Sequence, residues 1–321
     1  MGTPIVEHGL LRVAGAKLVN KHGQPIQLRG ASSAGINFHP QTDYINPENI
    51  RLLRNGGANV IRLARYVIWG EDPNEFITNK QALETVVPAI REIIDAGMYV
   101  IVDWHVLKDR DPLFHEKEAL EFFLEIYRRF ADDADALIFE IANEPNDGNG
   151  QGKVTWTSNI KPYADRIIGG LRHAEIENLI LVPTSNYCQN PSEPSEQALE
   201  DSRNVMYTAH FYASDRNHRE HVLPKIKAAI QAGIPLFISE WGSSDAQGSG
   251  QIVESEIEVW MNLLNHHGLS WVYWWFGAMD PARRNESSAA LRPGAPVNGP
   301  YELADWQQSG RILMRLLQAT T

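Results

Sequence analysis

Cysteine is almost absent from this 321-residue sequence. Cys188 is the only one, so an intrachain disulfide and a cysteine-rich zinc site are both excluded. No apolar run approaches the roughly 20 residues that a membrane-spanning helix needs, so we expect no membrane partner. The N-terminus, Met1-Gly2-Thr3-Pro4, also lacks the basic and apolar regions of a signal peptide. The protein is therefore either cytoplasmic or has lost a leader.

Clusters of positive charge are missing as well. The formal net charge is −11, and lysine and arginine form no patch of the kind that nucleic-acid-binding proteins carry. We therefore expect no nucleic-acid partner. No Gly-x-Gly-x-x-Gly motif follows an early strand, and no motif predicts a cofactor or a metal. Nine tryptophans are present; they are as compatible with ordinary packing as with sugar binding.

Short runs of β-branched and aromatic residues alternate with longer segments whose apolar spacing is helical. In one such segment, Ala119, Phe122, Ile126 and Phe130 share a face, as in an amphipathic helix. Seven of the runs predict buried strands: 59–63, 99–104, 137–141, 179–182, 205–209, 236–239 and 270–274.

An eighth strand is predicted near 26–31, and eight strand–helix units in about 300 residues are typical of a TIM barrel. We therefore predict an α/β fold, a (β/α)8 barrel, with 1–321 as one catalytic domain. Segment 10–28 reads as a β-hairpin that could cover the N-terminal end of the barrel. Pro88 interrupts the helical pattern 83–94 and predicts a kink or a later helix start. An open doubly wound sheet is the alternative.

Polar residues at the carboxyl ends of barrel strands form the active site in this fold. The second predicted strand ends at Arg62, with Tyr66 just after it. The corresponding residues of the later strands are Asp103, His105, Asn143, Glu144, His210, Tyr212, Glu240 and Trp274. Glu144 and Glu240 follow the fourth and seventh strands, on opposite sides of the barrel mouth. Two facing carboxyl groups are what the hydrolysis of a glycosidic bond requires.

The segments Ile141-Ala142-Asn143-Glu144-Pro145-Asn146 and Ile238-Ser239-Glu240-Trp241-Gly242 resemble glycoside hydrolase family 5. The resemblance is closest to the bacterial endo-β-1,4-glucanases of that family. It extends through Val102-Asp103-Trp104-His105, His210-Phe211-Tyr212-Ala213 and Glu286-Ser287-Ser288-Ala289-Ala290-Leu291. The first motif alone is shared by several related barrel hydrolases, whereas the full set is far more specific.

This resemblance implies a retaining mechanism and a role for each matching residue. Glu144 would be the general acid/base and Glu240 the nucleophile. Asn143 would hydrogen-bond the sugar 2-hydroxyl. Arg62 would keep Glu240 ionised, and Tyr212 would donate to Glu240 and orient it.

Three further matches imply roles around the sugar. His105 and His210 would contact sugar hydroxyls or the acid/base carboxyl, and Trp274 would be the stacking platform beside the scissile bond. From its place just after the second strand, we also expect Tyr66 to bind or support the substrate. The sequence departs from the family at Ala34, where relatives often carry histidine, and at Phe38, near which they carry tryptophan.

The loop 275–285 is longer than usual and lacks a clear counterpart of a lysine that relatives carry there, although Arg283 or Arg284 could replace it. We hypothesise that this loop reshapes the distal subsites. Tyr187, after the fifth strand, is equally compatible with lining the cleft and with packing.

The predicted function is that of a retaining endo-β-1,4-glucanase acting on cellulose and related β-glucans. Mannanase and licheninase are sister specificities. A metal-dependent hydrolase using Asp103, His105 and His210, and a non-catalytic carbohydrate-binding barrel, are the alternatives from other classes. Because insoluble glucans cannot enter a cell, the substrate implies a secreted protein, and we expect a monomer.

Overall fold

A closed barrel of eight parallel strands forms the centre of the molecule. The computed structural model describes residues 2–39, 41–68, 75–148, 153–280 and 286–319. The strands, in chain order, are β3 (Arg29–Ser32), β4 (Val60–Tyr66), β5 (Tyr99–His105), β6 (Leu137–Glu140), β7 (Ile180–Val182), β8 (Val205–Tyr212), β9 (Leu236–Gly242) and β10 (Trp271–Tyr273). Each strand pairs with the next and β10 pairs with β3, so the predicted (β/α)8 barrel is confirmed.

Helices alternate with the strands around the barrel. They span Pro4–His8, Pro47–Asn55, Asn79–Asp95, Glu116–Arg129, Lys161–His173, Leu223–Gln231, Glu254–His267 and Gln308–Gln318. The segment Ser185–Cys188 forms a single turn whose central residues have left-handed backbone angles. The 3-10 and π segments are Gln41–Tyr44, Pro112–His115, Ala131–Ala136, Trp156–Ile160, Glu193–Ser195, His218–Val222 and Leu303–Asp305. Within the described ranges, no helix is long and apolar enough to cross a membrane.

Two helix boundaries show how local sequence sets these elements. Gly268 ends the helix Glu254–His267 with φ +62°, a backbone conformation that glycine adopts without steric cost. The expectation of a late helix start at Pro88 is wrong, because the helix begins at Asn79 and runs through Pro88 to Asp95. Thr78 and Gln81 form a capping box, and this reciprocal pair of hydrogen bonds places the start upstream.

The N-terminal hairpin covers the end of the barrel opposite the strands' carboxyl ends, as expected. Strands β1 (Arg12–Ala14) and β2 (Lys17–Val19) pair antiparallel. Leu11 and Leu18 belong to a buried apolar cluster with residues from the amino-terminal halves of the barrel strands, such as Val60 and Phe237. The Tyr99 hydroxyl donates to the carbonyl oxygen of Gly9 at 2.6 Å. This end is therefore closed by packing, and the opposite end is available for a site.

Candidate active site

A cavity of about 720 Å³ opens at the carboxyl ends of the strands. Seven of the nine residues assigned to the glycosidase site line it: Tyr66, His105, Glu144, His210, Tyr212, Glu240 and Trp274. The other two, Arg62 and Asn143, are at most 1% exposed. Arg62 was expected at the end of its strand, but it is the third residue of β4. Strand β4 continues beyond Arg62 because its polar side chains are buried against partners from other strands.

Glu144 and Glu240 face each other across the cavity. One carboxylate oxygen of each, together with a ring nitrogen of His210, lies within 4.8 Å of the others. His210 Nδ1 is 2.8 Å from Glu144 Oε1. Burial is the largest influence on Glu144 and raises the pKa of its carboxyl to about 8. A group with this pKa is mostly protonated at neutral pH, as a general acid must be.

Glu240 receives two hydrogen bonds that stabilise its ionised form. The Tyr212 hydroxyl donates to Oε1 at 3.0 Å, and Arg62 Nη1 donates to Oε2 at 3.2 Å. Burial raises the pKa of Glu240, and the charge of Glu144 raises it further, while Arg62 acts in the opposite direction. Because both donors contact Glu240, the geometry favours placing the negative charge of the pair there.

Arg62 is the centre of a buried ionic network. Its Nε donates to Glu140 Oε2 at 2.6 Å, and its Nη2 donates to Asn143 Oδ1 at 2.6 Å and lies 3.0 Å from Asp103 Oδ2. With Glu240, three carboxylates surround one guanidinium, and together they raise its pKa against the opposing effect of burial. A planar guanidinium with five donors can serve several partners at fixed angles. Arg62 therefore ties the nucleophile candidate to β5 and β6.

Glu140 was missed by the sequence analysis, and so was the contact that Ser239 makes with it. The Ser239 hydroxyl donates to Glu140 Oε1 at 2.6 Å, and both residues are fully buried. The available signal was the charged residue closing the apolar run Leu137-Ile138-Phe139-Glu140. A glutamate at that place is costly to bury without a partner.

His105 and Asn143 form the part of the cavity floor that adjoins the ionic network of Arg62. His105 Nδ1 lies 2.6 Å from Asp103 Oδ2, and its Nε2 lies 3.3 Å from Asn143 Nδ2. Burial lowers the pKa of His105 to about 3. The imidazole stacks on Trp274, with ring centres 5.6 Å apart and planes 12° from parallel, and Tyr66 packs on it with ring centres 4.2 Å apart. The rings of Tyr66, His105 and Trp274 thus form an aromatic wall of the cavity, in which His105 contacts the other two.

Trp274 presents its indole to the cavity and is held by Glu286, which the sequence offered only as part of a family motif. Its Nε1 donates to Glu286 Oε1 at 3.1 Å, and Glu286 also lines the cavity. Ala34 packs against the cluster that contains Trp274 and Tyr212. Phe38 packs against Tyr66, with ring centres 5.1 Å apart. The departures from the family therefore lie beside the aromatic wall.

Tyr187 lines the cavity. It lies in a left-handed turn in which Asn186, Tyr187 and Cys188 have φ of 52°, 59° and 57°. Such values are uncommon for residues other than glycine and concentrate at functional sites. The Cys188 thiol donates to the Asn143 carbonyl oxygen at 2.9 Å, which joins the turn to the floor. Of the loop 275–285, residues 281–285, with Arg283 and Arg284, lie outside the described residues.

Two sets of side chains contain potential metal ligands. Asp103, His105 and His210 were the set considered for a metal-dependent hydrolase, but Asp103 is bonded to His105 and Arg62 rather than to His210. In the part of the chain that the structure describes, the group with suitable spacing is Glu144, His210 and Glu240. Those atoms already hydrogen-bond to one another or to Tyr212 and Arg62.

Comparison with known proteins places the chain in a family. A profile of the cellulase family, glycosyl hydrolase family 5, matches residues 19–280. Endoglucanase N of Pectobacterium atrosepticum is 35% identical over 99% of the chain, and endoglucanase A of Evansella cellulosilytica is 37% identical over 91%. The chain spans 67% of the length of the first protein and 56% of the length of the second.

A solved structure shows the same likeness in three dimensions. The catalytic domain of Thermobifida fusca endoglucanase Cel5A, in complex with cellotetraose, superposes with a TM-score of 0.86 at 28% identity. That match covers 99% of this chain and 100% of the other. The chain belongs to the cellulase family, glycosyl hydrolase family 5.

Proposed function

We propose that the protein is a retaining endo-β-1,4-glucanase in which Glu144 is the acid/base and Glu240 the nucleophile. The observation that carries this proposal is the close pair of carboxyl groups, with oxygens within 4.8 Å of one another. Retaining glycosidases hold their two carboxyl groups about 5–5.5 Å apart, whereas inverting ones need roughly 6.5–9.5 Å to admit a water molecule.

The reaction proceeds in two displacements. Glu240 attacks the anomeric carbon while Glu144 transfers its proton to the glycosidic oxygen, so the carbon–oxygen bond breaks and the first product leaves. The glycosyl unit is then an ester of Glu240. Glu144, now ionised, removes a proton from water, whose oxygen attacks the same carbon and releases Glu240. Arg62 and Tyr212 stabilise the returning carboxylate.

The floor and wall of the cavity bind the sugar in this proposal. Trp274 offers a flat aromatic face for a pyranose ring, and Asn143 lies beside Glu144 to contact the 2-hydroxyl. Tyr66 and His105 support the ring on the same side. His210 contacts the acid/base rather than the sugar, since its two ring nitrogens face Glu144 and Ser239.

The β-1,4-glucan specificity rests on the relatives, which are named endoglucanases, and on the cellotetraose complex of the Thermobifida fusca enzyme. Because such polymers lie outside cells, we place the protein there. We also infer that 1–321 acts as one catalytic domain and as a monomer. Activity in the culture medium of the producing cell would test the location, and sedimentation velocity would test the oligomeric state.

The direct test measures hydrolysis of cellotetraose, carboxymethylcellulose, lichenan and β-mannan by the purified protein, with and without EDTA. We expect cleavage of the first two, unaffected by EDTA. Glu144→Gln and Glu240→Gln should each abolish hydrolysis while leaving the unfolding transition in place. Glu84→Gln, which changes an exposed glutamate on an outer helix, is the matched control. Activity near that of the native protein in either active-site variant would refute the assignment.

A further inference from the structure

Four side chains form an unbroken hydrogen-bonded chain from the cavity into the barrel. Glu144 Oε1 lies 2.8 Å from His210 Nδ1, and His210 Nε2 lies 2.8 Å from the Ser239 hydroxyl oxygen. Ser239 donates to Glu140 Oε1 at 2.6 Å. His210, Ser239 and Glu140 are each at most 2% exposed. Because these groups are buried, each hydrogen bond needs one defined donor and one defined acceptor.

The direction of the chain is set at its inner end. Glu140 is paired with Arg62, which donates to its second oxygen at 2.6 Å, and an ionised carboxylate can only accept. The single hydroxyl proton of Ser239 is therefore used toward Glu140. Ser239 presents a lone pair to His210, so His210 Nε2 must carry the hydrogen of that bond.

The outer end follows from the same accounting. Burial lowers the pKa of His210 to about 4, so the ring is neutral at neutral pH and has only one N–H. That hydrogen is on Nε2, which leaves Nδ1 as an acceptor. The 2.8 Å contact between Nδ1 and Glu144 Oε1 then requires that Glu144 supply the proton.

We propose that Glu140 and Ser239 are positioning residues that select the Nε2-protonated tautomer of His210, so that His210 holds the transferable proton of Glu144 on Oε1. This inference rests on the proposed function, in which Glu144 is the acid. A histidine of the opposite tautomer would donate to Glu144 and stabilise its ionised form instead. The chain thus controls the protonation state of the acid without contacting the sugar.

Other charged and titratable groups surround Glu144 and His210, and they act on these two residues electrostatically rather than through hydrogen bonds to the ring nitrogens. Those that influence Glu144 or His210, or line the same cavity, are Arg62, Tyr66, Asp103, His105, Lys108, Arg110, Glu140, Tyr187, Cys188, Tyr212, His218, Glu240 and Glu286. Among the described residues, Ser239 and Glu144 are the two whose hydrogen bonds to the ring nitrogens of His210 are seen. Only such contacts choose between the two nitrogens.

Glu140→Gln reverses the direction of the chain without changing its shape. The amide oxygen can keep the bond from Arg62, and the amide nitrogen must then donate to Ser239. Ser239 in turn donates to His210 Nε2, which moves the ring hydrogen to Nδ1. Ser239→Thr keeps the hydroxyl and is the matched control, and Ser239→Ala removes it.

The readout is the tautomer of His210, measured by 15N NMR of the histidine-labelled protein, residues 1–321, near pH 6.5. The signal is assigned by its loss in His210→Asn. We expect Nε2–H in the native protein and in Ser239→Thr, and Nδ1–H in Glu140→Gln. An Nδ1–H or doubly protonated His210 in the native protein would overturn the proposal, even if a variant failed to fold. An unchanged tautomer in folded Glu140→Gln would overturn it as well.

A second readout is the pH dependence of kcat/KM on cellotetraose. In Glu140→Gln the alkaline limb should move about one pH unit lower, because Glu144 loses its acceptor and gains a donor. Ser239→Ala should move it in the same direction, and Ser239→Thr should leave it in place. Loss of the Glu140 charge alone would shift the limb but leave Nε2–H, and that combination counts against the proposal. The NMR result does not depend on activity, so the glucanase assignment and the tautomer can fail separately.

Discussion

One carboxylate oxygen of Glu144 lies within 4.8 Å of one carboxylate oxygen of Glu240 across the mouth of the barrel. This separation is shorter than the roughly 6.5–9.5 Å at which inverting glycosidases hold their carboxyl groups to admit a water molecule. We therefore expect net retention of configuration. Proton NMR of a cello-oligosaccharide digest should show the β-anomer first, with the α-anomer appearing only by mutarotation. Initial release of the α-anomer would contradict the double displacement.

The buried carboxyl of Glu144 predicts the alkaline limit of activity. Its pKa is raised to about 8, and the acid must be protonated in the free enzyme. The value of kcat/KM should therefore fall as the pH rises through about 8. The acid limb belongs to Glu240, whose pKa burial raises above its ordinary value, so activity should be lost at a higher pH than for an exposed glutamate. A profile still flat well above pH 8 would exclude Glu144 as the acid.

The Tyr212 hydroxyl predicts a loss of rate without a loss of fold. Burial holds the pKa of Tyr212 well above its usual value, so the hydroxyl stays a donor to Glu240. Tyr212→Phe should lower kcat about 10- to 100-fold, the cost of one hydrogen bond to a charged group. Tyr127→Phe, on the outer helix Glu116–Arg129, is the control and should keep native kinetics. Equal kinetics for Tyr212→Phe and the native enzyme would show that the Tyr212 hydroxyl does not contribute to catalysis.

The indole of Trp274 predicts a binding effect. Trp274→Ala removes the platform and also removes one of the two rings that pack on His105. We expect kcat/KM on cellotetraose to fall about tenfold or more, mainly through KM. Trp274→Phe keeps an aromatic face but loses the hydrogen bond to Glu286. Its kcat/KM should therefore lie between those of the native enzyme and Trp274→Ala. A Phe variant as poor as the Ala variant would assign the effect to that hydrogen bond rather than to stacking.

The hairpin end of the barrel predicts a change in stability alone. Leu18 is 3% exposed in the apolar cluster below the strands, so Leu18→Ala should lower the free energy of unfolding by about 2–4 kcal/mol. Urea denaturation followed by tryptophan fluorescence would measure it. Val6→Ala, at an exposed position, is the control. The kinetics of folded Leu18→Ala should be native, because the active site lies at the opposite end.

The strand pattern was readable because parallel barrel strands are buried on both faces and so appear as apolar runs. The same rule explains the errors at strand ends. The end of β4 was placed at Arg62, yet the strand runs on to Tyr66. A polar side chain within a strand looks like an ending unless its buried partners are known. Glu140 lay inside the predicted strand 137–141 and was missed as a site residue because its partner Arg62 comes from another strand.

By itself, the sequence determined the barrel, the two glutamates and seven of the residues that line the cavity, because each depends on residue type and position along the chain. Only the tertiary structure decided the close approach of the two carboxyl groups, with one oxygen of each within 4.8 Å of the other, the three carboxylates around Arg62 and the chain from Glu140 to Glu144. These relations join residues far apart in sequence. Their energies depend on distance and burial, which exist only once the barrel has closed.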